Sequence, residues 1–363
     1  MKFIGITLIN HTPDPLTGHL PSVTERLADV VDTAVLFEEL GFDGFGVGER
    51  HHEPFISTAP PVVLSHIAAV TARIRLFTAV TLLSVLDPVR VAEDYATLDH
   101  LSGGRLELII GKGNGPEQAE LFGITRDQQW DTITENFRLL RRLWTEQRVT
   151  WTPSAHGIRQ VPLTDATVWP KPLQQPIRIW HGSATSQASV ELAAEYGDPV
   201  FSANVTNPVE PYAALIDHYR ERWVHHGRDP QAVVVGAGSA GHYTAPTSQQ
   251  AREVYRPIFQ AQSAQFARFG IESPFADFDD YLARSSALIG SPQEVVDKVG
   301  RYHERLGHTT LHVQADTAGL TPVQHRASLE LFQAGVAPEL RRTIPDPPWP
   351  APVVDIQHRK AFR

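Results

Sequence analysis

Apolar residues recur along this chain in two rhythms. Short runs such as Phe3-Ile4-Gly5-Ile6-Thr7-Leu8-Ile9 and Leu106-Glu107-Leu108-Ile109-Ile110 have the length of buried strands, and the stretches between them carry a helical period. Candidate strands are Lys2 to Ile9, Gly44 to Val47, Leu76 to Leu82, Leu106 to Ile110, Ile177 to Trp180, Val200 to Ser202, Val233 to Ala237 and Thr310 to Gln314. Helical stretches run Thr24 to Leu40, Pro61 to Ala72, Val89 to Leu101, Thr132 to Glu146, Gln187 to Tyr196, Glu210 to His226, Ser248 to Phe269, Pro292 to Leu306 and Pro322 to Leu340. Strands alternating with amphipathic helices predict a parallel sheet with helical crossovers. Eight such units fit a TIM (β/α)8 barrel with insertions better than a doubly wound sheet. Asn10-His11-Thr12-Pro13-Asp14-Pro15 follows the first strand where a dinucleotide fold would carry Gly-x-Gly-x-x-Gly.

Two segments break the rhythm. Residues 148–175 are rich in Pro, Thr and Trp and read as an insertion with room for a hairpin, and residues 270–290 form a second one. A helix start follows at Ser291-Pro292-Gln293-Glu294, with serine to cap and proline in the first turn. After Arg342 the run Pro345-Asp346-Pro347-Pro348-Trp349-Pro350 excludes regular structure. The expectation is one barrel domain over 1–342 and an extended tail over 343–363, with no internal repeat.

Composition narrows the chemistry. The chain has 363 residues, 42% of them hydrophobic, and no cysteine, which excludes disulfides, thiolate nucleophiles and thiolate-bound metals. A formal net charge of -9 with no basic cluster before the C-terminal tail argues against nucleic acid. The apolar run at the N-terminus is too short for a membrane span and lacks a following cleavage pattern, so the expected location is the cytoplasm, away from any membrane.

Candidate chemistry gathers where predicted strands end, the face on which α/β barrels build their sites. Gly48-Glu49-Arg50-His51-His52 follows the second strand and offers acid-base groups, although paired histidines there also serve as loop residues bonded to carbonyls. Asp87-Pro88 after the third strand is explained as a helix start. Gly111-Lys112-Gly113-Asn114-Gly115-Pro116 after the fourth is either an anion-binding turn with a point charge or a flexible turn. His181-Gly182-Ser183-Ala184-Thr185-Ser186 after the fifth opens a helix with hydroxyls, which suits a phosphate as well as ordinary capping. His11, Glu49, His51 and His52 could instead be metal ligands of a hydrolase, but such barrels usually place a His-x-His pair on the first strand, and this one has none.

Six strings sharpen the picture: Glu-Leu-Gly-Phe-Asp at 39–43 leading into Gly-Glu-Arg-His-His at 48–52, Asp-Pro-Val-Arg-Val-Ala-Glu-Asp at 87–94, Leu-Asp-His-Leu-Ser-Gly-Gly-Arg-Leu at 98–106, Leu-Phe-Gly at 121–123 and Gly-Ser-Pro-Gln-Glu at 290–294. In order and spacing they resemble the bacterial luciferase-like family of flavin-dependent monooxygenases over nearly the whole chain. The resemblance implies a two-component enzyme that receives reduced FMN from a separate flavin reductase and uses dioxygen on a small organic substrate. A deazaflavin-dependent oxidoreductase of the same fold is the alternative.

The resemblance also assigns residues. Ungapped alignment sets Arg50 opposite the family's catalytic histidine and His51 opposite the next, and an arginine cannot act as a base near neutral pH. His51 is therefore the expected proton-transfer group, with Glu49 setting its tautomer and Arg50 stabilising an anion. That departure also leaves open a non-catalytic, flavin-binding subunit. Lys112 stands where the family has a phosphate-binding arginine, and the family's phosphate hydroxyls fall within Ser183 to Ser189. The expected cofactor residues are Ala79, Val80, Thr81, Lys112, Gly182, Ser183, Ala184, Thr185 and Ser186, with a non-prolyl cis peptide at Ala79-Val80. His11, Phe55, His242 and Tyr243 would line the substrate pocket. Subunits would pair as a homodimer through the helices near Pro61 to Ala72 and Val89 to Leu101.

Overall fold

The first strand, Lys2–Thr7, pairs in parallel with Gly44–Val47 on one side and with Thr310–Gln314 on the other, which places Ile4 beside both Gly44 and His312. First and last strands thereby close the sheet. Around the ring, and numbered here as barrel strands one to eight, run Lys2–Thr7, Gly44–Val47, Arg75–Leu82, Leu106–Gly111, Ile179–Ser183, Val200–Ser202, Val235–Ala237 and Thr310–Gln314. The computed structural model describes the chain except residues 114–115, 155–156, 204–207, 269–272, 317–318, 345–348, 350–352 and 354–363, and except the side chains of 116, 117, 126, 266 and 268.

Strand alternation sorts the apolar residues between two cores. Ile4, Ile6, Phe77, Ile109, Trp180 and Phe201 fill the lumen, while Phe3, Phe45, Leu76, Leu108, Ile110 and Val313 pack outward beneath the helices. The N-terminal end of the lumen is closed by polar and aromatic groups. Arg75 Nε lies 2.8 Å from Glu107 Oε1, and Trp180 Nε1–H donates to Glu107 Oε2 at 2.6 Å. Trp349 stacks beneath, 5.7 Å from Phe77 and 5.8 Å from the Arg75 guanidinium carbon.

One buried cation ties the outer layer to the barrel between strands three and four. Arg105 is fully buried and donates through Nε to Ser102 O, through Nη1 to Thr71 Oγ1 and Ile74 O, and through Nη2 to Ala68 O and Thr71 O, at 2.8–3.2 Å. It collects the free carbonyls at the end of the helix Pro60–Val70, which four unsatisfied C=O groups would otherwise fray. Burial pushes its pKa down to about 10, so it stays charged near neutral pH.

Several predicted boundaries move. Strand five ends at Ser183 rather than Trp180, so His181, Gly182 and Ser183 belong to the sheet. The segment 148–175 contains the hairpin Val149–Trp151 with Leu163–Ala166. A further parallel pair, His242–Thr244 with Leu288–Gly290, lies between strands seven and eight and carries a satellite core of Tyr243, Tyr255, Ile258, Phe278 and Tyr281. The last predicted helix is two, Pro322–Gly335 and Ala337–Thr343. Most of the predicted tail lies outside the described residues.

Two stability predictions follow from buried cations and imidazoles. Arg105→Met leaves the helix-end carbonyls without donors and should cost about 3–5 kcal/mol, the range for breaking a buried charged network, in urea denaturation. His242, His308, His312 and His325 are buried, and burial lowers their pKa values to about 3, 3, 4 and 4. An unfolded histidine titrates near 6.5, so below that pH the unfolded chain binds more protons and stability falls toward pH 4, by up to about 1.4 kcal/mol per pH unit for each group. The urea midpoint should drop between pH 7 and pH 4.5, and drop less in His308→Gln.

Candidate active site

Four strand ends on the C-terminal side build the site. After strand two, Gly48 passes so close to its neighbours that a Cβ there would lie 2.3 Å from Leu8 Cδ2 and 2.8 Å from the Ala79 carbonyl oxygen. Only glycine fits, and it aims the next residues over the barrel rim. Glu49 is buried with both oxygens engaged: Oε1 lies 2.8 Å from His51 Nε2, and Oε2 accepts the Leu82 N–H at 2.9 Å. A carboxylate that accepts at both oxygens assigns the proton to His51 Nε2 and leaves Nδ1 as the basic nitrogen. The imidazole is packed edge-on against Phe122, with centroids 4.8 Å apart.

The other residues of this loop hold it in place. His52 Nδ1 donates to its neighbour's carbonyl, Glu53 O, at 2.7 Å. Phe55 packs beneath His52 and lies 5.0 Å from the Arg50 guanidinium carbon. An antiparallel bridge from Asn10 to Phe55, together with His11 N–H to Pro54 O at 2.8 Å, ties the loop to the end of strand one. His11 itself donates through Nε2 to Pro21 O at 2.8 Å. Thus His11, Glu49, His51 and His52 do not converge: only the Glu49–His51 pair meets.

Strands three to five form a smooth wall. The Ala79-Val80 peptide is cis, as the family resemblance implies, and the ladder to strand four shifts register there. A Cβ on Gly111 would lie 2.9 Å from Val80 Cγ2, and one on Gly182 would lie 2.8 Å from Val80 Cγ1. Val80 therefore lies across two glycines on strands four and five, whose missing side chains admit its methyl groups and let it lie low against the sheet as a shallow seat. Thr81 takes no part: its hydroxyl donates to Tyr95 Oη at 2.9 Å, away from the lumen.

Polar groups stand beside this seat. Register pairs Ile110 with His181, so Lys112 and Ser183 emerge from neighbouring strands. Lys112 Nζ lies 5.7 Å from the Trp130 ring centre, and its carbonyl accepts Ser84 Oγ–H at 3.0 Å. Ser183 Oγ accepts the Ser186 N–H at 3.1 Å. Ser186 is the N-cap of the helix Gln187–Tyr196 and makes no side-chain cap bond, so it does not itself satisfy the first-turn amides. Ala184 is half-buried and Thr185 exposed. Residues 114–115 of the glycine-rich turn lie outside the described residues.

His242 and Tyr243 do not line the mouth. Both are buried: His242 packs against Phe332 at 5.3 Å, and Tyr243 belongs to the satellite core. Beyond strand seven the chain enters a second strand pair, not an open loop. A surface cleft of about 510 Å³ between Thr97, His100, Leu101 and the segment Trp169–Gln175 also lies away from the strand ends.

The sequence model for luciferase-like monooxygenases matches residues 1–309. The chain belongs to that family. Monooxygenase RslO1 from Streptomyces bottropensis superposes with a TM-score of 0.79 at 26% identity, over 93% of this chain and 99% of that one. Among the family's characterised proteins, this chain is 26% identical over 346 residues to the F420-dependent glucose-6-phosphate dehydrogenase of Intrasporangium calvum, covering 86% of this chain and 95% of the relative. It is 25% identical over 278 residues to the FMNH2-dependent dimethylsulfone monooxygenase of Pseudomonas putida, covering 70% and 71%. Luciferase-like enzymes thus include both flavin- and deazaflavin-users.

Sequence reasoning missed Phe122, Trp130 and Tyr95, which buttress His51, Lys112 and Thr81. A tertiary contact alone reveals them. If the dyad transfers a proton in turnover, His51→Asn should lower kcat by about 100-fold or more while FMN affinity holds, and His52→Asn should do much less. Steady-state kinetics beside a flavin titration separates the two.

Proposed function

We propose that this protein is an FMN-dependent, two-component monooxygenase that takes reduced FMN from a separate reductase and oxidises a small organic substrate with dioxygen. The carrying observation is the seat at Val80, Gly111 and Gly182 beside Lys112 and the uncapped helix start at Ser186. A planar ring needs a low apolar wall, and a phosphate needs amides and a cation; adjacent strand ends offer both. The residues present therefore fit a flavin nucleotide.

In this reading Lys112, Ser183 and the first-turn amides after Ser186 hold the phosphate, and the Ala79-Val80 wall supports the ring. Bound reduced FMN would supply the electrons that activate dioxygen. The chain's own part is proton management and exclusion of water. Glu49 fixes the His51 ring by its Nε2–H, so Nδ1 gives or takes the proton; Phe122 covers the ring, and Arg50 at the rim offers positive charge to an anion. A deazaflavin-dependent oxidoreductase is the second reading, because the Intrasporangium relative covers nearly its whole length at similar identity. Among the described residues no helix is long and apolar enough to cross a membrane. We assign the protein to the cytoplasm.

We also propose a C2 homodimer through the helices Pro60–Val70 and Pro88–Ser102. Ala68, Ala92 and Ala96 are buried against their own barrel, so the face offered to a partner consists of Val62, Ala69, Val70 and Leu101. A charge there, Leu101→Glu, should shift a micromolar sample from dimer to monomer in sedimentation; a wild-type monomer would refute the assembly.

The cofactor is decided by melting temperature with FMN, FMNH2 and deazaflavin: FMN and FMNH2 should raise it, and deazaflavin should not. Lys112→Met should weaken FMN by about 1–3 kcal/mol and riboflavin far less, the range for a charge-assisted contact to phosphate. Equal losses would remove Lys112 from the phosphate site.

A further inference from the structure

The cleft at the N-terminal end of the barrel has no part in the flavin reading. It lies between the last turns of the helix Pro88–Ser102, which supply Thr97, His100 and Leu101, and the segment Trp169–Gln175, and its volume of about 510 Å³ is that of a ligand pocket. His100 Nε2 donates to Lys171 O at 2.9 Å and ties the two walls together, so the cleft is preformed. Its rim leaves large apolar side chains in water: Trp169 is 75% exposed and Leu101 49%. Apolar surface gathered around a cleft marks a place where something binds.

The chain itself arrives at the inner end of this cleft. Trp349 covers the bottom of the lumen, and four residues later Val353 lies against the turn into strand four, where a Cβ on Gly104 would meet its Cγ2 at 2.9 Å. Gly104 N–H donates to Asp99 O at 2.9 Å. The side chain of the same aspartate accepts the Gln174 N–H at 2.8 Å, and Gln174 stands between the cleft residues Leu173 and Gln175. Asp99 thus joins the seat of Val353 to the wall of the cleft. Val353 is 53% exposed, so that seat is open to the surface.

Val354-Asp355-Ile356-Gln357-His358-Arg359-Lys360-Ala361-Phe362-Arg363 follows, outside the described residues. Val354 and Ile356 have the apolar side chains that such a cleft takes in, and an extended chain carries Ile356 about 10 Å from Val353. A segment tethered at the mouth of a site is held there at an effective concentration of about a millimolar, so a contact too weak for a free partner suffices. We propose that the segment after Val353 lies in this cleft, with Ile356 against Trp169 and Leu101, as an intramolecular strap across the N-terminal end of the barrel. Leu101 also belongs to the proposed dimer face, so a partner copy is the competing occupant. The strap does not depend on the flavin reading.

A chain without cysteine allows a direct test by disulfide trapping. Gln357→Cys is combined in the full chain with Gln175→Cys, on the cleft, or with Leu121→Cys, an exposed position at the opposite end of the barrel. Under mild oxidation the first pair should close within one chain at least about tenfold faster than the second, because docking raises the local concentration of one thiol at the other. Adding Ile356→Asp should bring the first pair down to the slower rate, with melting temperature confirming that each variant is folded. Equal rates for the two pairs, or a rate indifferent to Ile356→Asp, would overturn the proposal. A disulfide between chains, seen as a dimer on a non-reducing gel, would overturn it as well and give the cleft to the partner copy.

Discussion

A guanidinium enclosed by carbonyl oxygens sets the frame on which the candidate site depends. Arg105 has no carboxylate within its cage of Ser102, Thr71, Ile74 and Ala68; backbone dipoles, one hydroxyl and the nearby Glu38 charge compensate it. Those atoms belong to the end of one helix, the turn into strand three and the turn into strand four. Strands three and four carry Val80 and Gly111, whose van der Waals fit makes the seat. A shift of a few tenths of an ångström between them would close it, because packed interiors have no slack. The cage fixes the N-terminal ends of the same two strands whose C-terminal ends carry the candidate site.

The opposite end of the lumen shows why chemistry is confined to one side. Arg75, Glu107 and Trp180 satisfy one another, and Trp349 covers them, so the N-terminal mouth is closed to ligands. On the open side the polar groups are fewer and more exposed, and they fall into two sets. Lys112 and the serine-rich turn stand beside the Val80 seat; Glu49 and His51 share one proton on the rim between strands two and three. The carboxylate uses one oxygen for the ring and one for the Leu82 amide, so ring and wall move together. That coupling is what a proton-transfer group needs, since its reach to a reacting atom must hold within a few tenths of an ångström.

How much of this was legible depended on the range of the interaction concerned. The eight barrel strands were read from local runs of apolar residues, and the caps at Ser291 and Asp87 from local chemistry. Strand five was read short because His181 and Gly182 interrupt its apolar run, yet the glycine is there to admit Val80, a contact from two strands away. His242 was placed at the mouth because strand seven ends before it; a three-residue strand such as His242–Thr244 has no period to detect, and its partner lies over forty residues on. Thr81 was assigned with its neighbours, but the shifted register at Ala79 turns it outward.

The satellite between strands seven and eight is pinched at its neck. The strands that open and close it lie side by side, with Leu288 N–H on Gly241 O at 2.8 Å and Ala245 N–H on Gly290 O at 3.1 Å. Chain entering and chain leaving therefore meet at a fixed spacing whatever lies between, and the intervening helices bury a core of their own. Such a neck behaves like a graft union. Evolution can lengthen, shorten or replace what grows from it without disturbing the closure of the barrel, and an engineer could exchange the satellite between relatives at the same two backbone joints.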